Sequence, residues 1–338
     1  MKFDTVIMVD WSGGNDRGAR PVKDAIWASI ARQGRAETAV YLRNRAVAES
    51  WIADRLEAER TAGRRVLAGF DFPFGYPQGF AQKLTGDACP FAVWTWLEDH
   101  IQDAPEANNR FDVAGQINRL LGDGKGPFWA NGLKRDVDGL PRTKADYSNP
   151  FPERRLTETH AKGAFACWQM AGAGAVGSQV FLGLPVLARL RRRFGASVWP
   201  FEPLASDIAV IEIWPSLTLG AAPEGRIRDA WQVEEVARTV SALDPEVLAQ
   251  MLEVDAPEEG WIFGLGFEDT LRSAAAAPPK LNNNCFALPP GVHWTPVAEA
   301  LEMLRNRLVP VADVVSLPID HAAGLVAARD LSAARSNP

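Results

Sequence analysis

The chain has 338 residues, 47% hydrophobic and 23% charged, enough length for one large domain or two moderate ones. With 36 basic against 42 acidic residues its net charge is −6, which excludes a polybasic nucleic-acid coat and assigns any anionic ligand to a local basic patch. Its three cysteines and four histidines are scattered, with no Cys-x-x-Cys and no His-x-x-x-His, so neither a disulfide framework nor a thiolate zinc site is expected.

Residues 5–9 form a continuous apolar run that predicts a strand buried on both faces, ending in the turn cluster Asp10-Trp11-Ser12-Gly13-Gly14. Residues 25–31 and 36–42 predict a second and a third strand about a Gln33-Gly34-Arg35 turn. Over 46–62, the spacing of Val47, Trp51, Ile52 and Leu56 predicts a helix. Residues 65–70 predict a fourth strand, again followed by an acid, Asp71. Helices are predicted over 90–101, 111–121, 156–170 and 177–194, with a Gly/Pro/Asp-rich loop over 122–150. Residues 208–214 predict a fifth strand, which carries Glu212 and is stopped by Pro215, and 228–254 reads as two short helices. The run from Ala274 to Pro290, rich in Ala, Pro and Asn, reads as a linker, after which a helix-plus-strand pattern resumes. No stretch approaches 18 uncharged apolar residues and the N-terminus has no leader pattern, so a cytoplasmic protein without a membrane partner is expected.

Three acids, Asp10, Asp71 and Glu212, fall within or just after predicted strands. Any one of them alone reads as a turn former. Together they suggest a common pocket, because rigid strand ends of one sheet can bring carboxylates to paired divalent cations. Oxygen ligands without His or Cys favour Mg2+ or Mn2+.

The order of three strands, a helix, a fourth strand, then helices and a fifth strand resembles the ribonuclease H-like superfamily. The segments Val9-Asp10-Trp11-Ser12, Gly69-Phe70-Asp71-Phe72-Pro73, Arg155-Leu156-Thr157-Glu158 and Glu212-Ile213-Trp214-Pro215-Ser216 are similar to the motifs of a bacterial family of predicted nucleases. The resemblance spans residues 5–217 and implies a mixed five-stranded sheet flanked by helices. It also implies catalytic carboxylates at Asp10, Asp71, Glu212 and Glu158, with Asp10, Asp71 and Glu212 as metal ligands. Glu158 is either a fourth ligand or the ion-pair partner of Arg155 three residues back. Ser12, the Gly13-Gly14 turn and Arg155 are candidates for holding phosphate, the alternative for the glycines being an ordinary tight turn.

Residues 296–338 carry a second resemblance. Pro296-Val297-Ala298-Glu299-Ala300-Leu301 and the stretch from Val314 to Leu331 look like the start of molybdopterin molybdenumtransferase, with Leu325 in place of the usual arginine. The implied organisation is a ribonuclease H-like α/β domain over 1–225, a helical extension over 226–275, a linker over 276–295, and a truncated transferase-like α/β segment over 296–338. The implied partners are molybdenum-cofactor biosynthesis proteins.

Other signals are weaker. Basic residues outnumber acids between Arg119 and Lys162, which marks either a phosphate-facing loop or a solvated one of mixed charge. Gly172-Ala-Gly174-Ala-Val-Gly177 matches a dinucleotide fingerprint in letters only; the predicted helix before it makes a glycine-rich helix-to-helix connection the better reading. Two functions are therefore expected as alternatives. One is a divalent-metal-dependent phosphodiester or phosphate hydrolase acting on a phosphate-containing small molecule or nucleic acid. The other is a non-catalytic accessory domain that binds a molybdopterin or nucleotide intermediate.

Overall fold

The computed structural model describes residues 1–276, 297–307, 318 and 321. The chain divides into two units, Met1–Lys280 and Leu281–Pro338. In chain order, the first unit begins with β1 (Thr5–Asp10), β2 (Ile26–Arg32), β3 (Arg35–Ala36), β4 (Val40–Leu42), α1 (Arg45–Thr61) and β5 (Val66–Phe70). Four helices follow: α2 (Phe80–Thr85), α3 (Pro90–His100), α4 (Arg110–Leu121) and α5 (Leu156–His160). Next come α6 (Val176–Phe194), β6 (Ser197–Val198), β7 (Ile208–Glu212), α7 (Arg228–Ala242), α8 (Pro245–Met251) and α9 (Glu268–Ala276). In the second unit, α10 (Val297–Arg307) matches the helix expected there. Most of the predicted linker, and the strand predicted after it, lie outside the described residues.

The sheet is mixed and seven-stranded, in the order β3-β2-β1-β5-β7-β6, with β4 also paired to β2. Strands β1, β5 and β7 run parallel as neighbours, and β2 lies antiparallel to β1. Two differences from the sequence reading account for seven strands rather than five. The predicted third strand is broken into β3 and β4, both on the same side of β2. The two-residue β6 pairs with β7; a segment so short has no periodicity to detect.

Helices cover both faces. Asn44 caps α1 by accepting the Val47 N–H at 2.9 Å, and Gly195 closes α6 in the left-handed conformation at φ 61°. Ile7, Val9, Ala68, Phe70 and Val210 share one core with side chains of α1, α3 and α6. Val6, Met8, Leu67, Ala209 and Ile211 share the other with α7, α8 and α9. The helices of 226–275, expected as an extension, therefore form the second covering layer of the sheet, within the same compact unit. The predicted helix over 156–170 is only five residues long. Gly163, at φ 98°, turns the chain where helix was expected. No helix among the described residues is long and apolar enough to cross a membrane.

Candidate functional site

Strand alternation decides which acids can meet. Along β1, Val6 and Met8 face the α7 layer, so Asp10 shares their side. Phe70 faces the opposite layer, and Asp71, one residue later, turns back toward α7. Their strands are adjacent: Val9 pairs with Phe70, and the Asp71 N–H donates to the Val9 carbonyl at 3.0 Å. Glu212 has the parity of Ile208 and Val210 and faces the other layer. Asp10 and Asp71 thus come together, while Glu212 stays close enough to Asp71 to line the same cleft and act on its charge.

Glu212 is committed elsewhere. Its Oε1 accepts Arg155 Nη2 at 2.6 Å, and its Oε2 accepts Arg155 Nη1 at 2.8 Å and the Phe74 N–H at 3.0 Å. Arg155 Nε donates to Glu158 Oε1 at 2.9 Å, while Glu158 Oε2 accepts the Arg155 N–H at 3.0 Å. The Glu259 carbonyl takes a further bond from Nη1. All three side chains are at most 3% exposed. Desolvation alone would lower the Arg155 guanidinium, but Glu212 and Glu158 outweigh it and hold it above its ordinary value. Burial raises the Glu158 carboxyl, opposed by Arg155. Of the two readings of Glu158, the ion pair with Arg155 is the one present, and Glu212, expected as a metal ligand, is spent on the same buried arginine. Arg155, expected to hold phosphate, is spent on them in turn.

No hydrogen bond or ion pair from the described residues reaches the carboxylates of Asp10 or Asp71, and both side chains are only partly buried. Desolvation, then the neighbouring Asp71, Asp229 and Asp24, push Asp10 well above the ordinary carboxylate range. Desolvation, followed by Glu212 and Asp229, pushes Asp71 up to about 7. Arg228, which lines the same pocket as both acids, offsets this only in part, and two carboxylates that resist ionising together hold protons that a divalent cation can replace.

Asp229, in the first turn of α7, is the acid that the sequence reading missed. Burial raises its carboxyl as well. Its Oδ2 accepts the Asp24 N–H at 2.6 Å, from a residue in the left-handed conformation at φ 55°. Asp10, Asp24, Asp71 and Asp229 line one pocket of about 270 Å3 together with Gln232 and Trp11. Trp11 Nε1 and Gln232 Nε2 are buried donors with no hydrogen-bond partner among the described residues. The residues around the acids are therefore not a closed network.

A larger cleft of about 780 Å3 adjoins this pocket, and Asp71 lines both. The cleft is walled by the Ser12–Gly14 turn, by Arg110 and Trp214, and by the glycine-rich stretch leading into α6. Ser12 Oγ accepts the Gly14 N–H at 3.1 Å and donates to the Asp24 carbonyl. The hydroxyl expected to hold phosphate instead closes the turn. Arg45 fixes the same turn by donating to the carbonyls of Ser12 and Gly14. The 119–162 loop spends many of its cations internally, in pairs such as Arg142–Asp136 and Lys144–Glu153.

Among the described residues, no group of three His, Cys, Asp or Glu side chains is arranged to hold a metal ion. Asp10 and Asp71 still suit Mg2+, which is commonly held by one or two carboxylates, its remaining positions taken by water and substrate phosphate. No family model matches the chain, and no curated protein or solved structure matches it.

Proposed function

We propose that the first unit is a ribonuclease H-like hydrolase of phosphodiesters or phosphate esters, dependent on Mg2+ or Mn2+. Asp10 and Asp71 would be the principal metal ligands, with Asp229 as the third acid. The observation that carries this reading is the pair of unpartnered carboxylates at the C-terminal ends of adjacent parallel strands, beside an open cleft. Strand order supports it: β2 lies antiparallel on one side of β1, and β5 and β7 continue parallel on the other. A bound divalent ion would lower the pKa of an attached water and stabilise a leaving oxygen. The chain's own contribution would be to hold the two carboxylates on rigid strand ends and to wall the ligand with the Ser12–Gly14 turn.

The test is a Mn2+ titration followed by electron paramagnetic resonance, paired with turnover assays on generic phosphodiesters and pterin nucleotides. The pterin compounds are included because residues 296–338 resemble a molybdenum-cofactor enzyme, although most of that segment lies outside the described residues. Wild type should bind Mn2+ and turn over a substrate, whereas Asp10→Asn should lose both. Equal behaviour of the two proteins would remove the hydrolase reading. The 780 Å3 cleft also favours a second reading, non-catalytic capture of a phosphate-bearing ligand, which saturable nucleotide binding without turnover would support.

A further inference from the structure

Arg110 opens α4 and lines the same cleft as Asp71. Its Nε donates to Ser178 Oγ at 2.8 Å and its Nη1 to Asn108 Oδ1 at 2.6 Å, both neutral acceptors. The Phe111 ring lies against it, with the guanidinium carbon 4.4 Å from the ring centroid. Among the described residues no carboxylate comes within ion-pair distance. Asp103, the acid whose charge it feels, is gripped by both arms of Arg45 at 2.5 and 2.6 Å. Other arginines of this region do have acids, as Arg135 does in Asp112 and Arg142 in Asp136.

A guanidinium partly removed from water without an anion carries a cost that no ion pair offsets. Desolvation, with repulsion from Arg45 behind it, pulls the Arg110 guanidinium down to about 10. Ser178 and Asn108 also fix the plane of the fork, so that little side-chain freedom is left to lose on binding. Arg17 adds a second cation on the wall of the cleft, its guanidinium close over Gly14. Beside it, Gly13 leaves no room for a side chain: a Cβ there would lie 2.9 Å from Ser178 Cβ. The turn and the first turn of α6 are therefore packed directly against each other next to Arg110.

We infer that Arg110, assisted by Arg17, seats a phosphate group of the ligand, apart from any phosphate presented to Asp10 and Asp71. Planar, bidentate recognition of a phosphate is what a fixed guanidinium provides. The cleft volume suits a nucleotide-sized molecule. Two phosphate positions in one cleft make the ligand a small ester with at least two phosphoryl groups, such as a nucleoside diphosphate or a dinucleotide. The second position rests on the hydrolase reading; the Arg110 seat does not.

The experiment uses the full chain in EDTA, with inorganic pyrophosphate as the probe and titration calorimetry as the readout. Wild type should bind saturably, Arg110→Gln about tenfold more weakly or worse, and Arg110→Lys in between. Circular dichroism melts establish that each variant is folded. Ser178→Ala keeps the charge but frees the fork, and should weaken binding about threefold. Mn2+ binding, measured separately, should be the same in Arg110→Gln as in wild type. The inference fails if wild type binds no pyrophosphate, or if Arg110→Gln binds it as tightly as wild type. Loss of the Mn2+ site with pyrophosphate binding intact would sink the hydrolase reading alone.

Discussion

Arg155 and Glu212, 57 residues apart in sequence, form a bidentate pair at 2.6 and 2.8 Å with side-chain exposures of 1% and 3%. Glu212 ends β7, and its carbonyl also accepts the Phe263 N–H at 2.9 Å. The pair therefore ties the 155–158 turn, the end of β7 and the 259–263 segment into one cluster.

Breaking that pair should be costly. Arg155→Met leaves Glu158 and Glu212 buried without a counter-charge, with an expected loss of about 3–5 kcal/mol in urea unfolding. Arg155→Met combined with Glu158→Gln and Glu212→Gln should be more stable than Arg155→Met alone, because the stranded charges are gone. Glu212→Gln should weaken folding yet leave Mn2+ affinity within about twofold of wild type. A large loss of affinity would restore Glu212 as a ligand.

The strand-end acid Asp71 should behave in the opposite sense. Asp71 titrates at about 7 in the folded state against an ordinary 3.8. The folded chain therefore binds more protons between those values, and stability falls as pH rises through the window, levelling off above about 7. Asp71→Asn should flatten this decline and raise Tm at pH 8 by roughly 2–4 °C, the shift about 1 kcal/mol gives in a chain of this size. Thermal melts from pH 4 to 8 provide the check, and a wild-type Tm that climbs steadily across that range would contradict it.

Metal binding should itself depend on pH, since the cation displaces protons from Asp10 and Asp71. Mn2+ affinity should rise between pH 6 and 8, with proton release detectable by calorimetry in buffers of different ionisation enthalpy. Asp229→Asn should reduce the affinity less than Asp10→Asn, because one Asp229 oxygen is already occupied by the Asp24 N–H. Equal losses in the two variants would put Asp229 on a par with the strand-end acids.

The strand ends were legible in the sequence because β1, β5 and β7 are continuous apolar runs, each meeting an acid at its C-terminal end. Which way each acid points was not, since one residue of register decides the face. Asp10 and Asp71 come one residue after Val9 and Phe70, and Glu212 comes two after Val210. The Arg155–Glu212 pair left no trace either, because no periodicity links such distant positions. Asp229 gave little signal: an acid in the first turn of a helix is ordinary, and only its place beside the buried stripe of Ala230, Val233 and Ala237 set it apart. The 156–170 helix was overread because apolar residues continue beyond Gly163, and their spacing outweighed a glycine that needs a positive φ.

Packing behind the site offers a further check. A Cβ on Gly183 of α6 would collide with the ring of Phe72, the residue after Asp71. Gly183→Ala should cost about 1–3 kcal/mol by overpacking. It should also alter the metal affinity more than an equally destabilising change in α1. Parallel Mn2+ titrations on the two variants distinguish local displacement from general loss of fold.

Because α7 supplies Asp229 and shields the hydrophobic side of β1 and β2, shortened forms of this protein face a double penalty. A clone stopping before residue 228 would expose an oily sheet and discard an acid in one cut. Expression trials seeking a minimal soluble fragment should therefore find that solubility and cation uptake disappear at the same boundary.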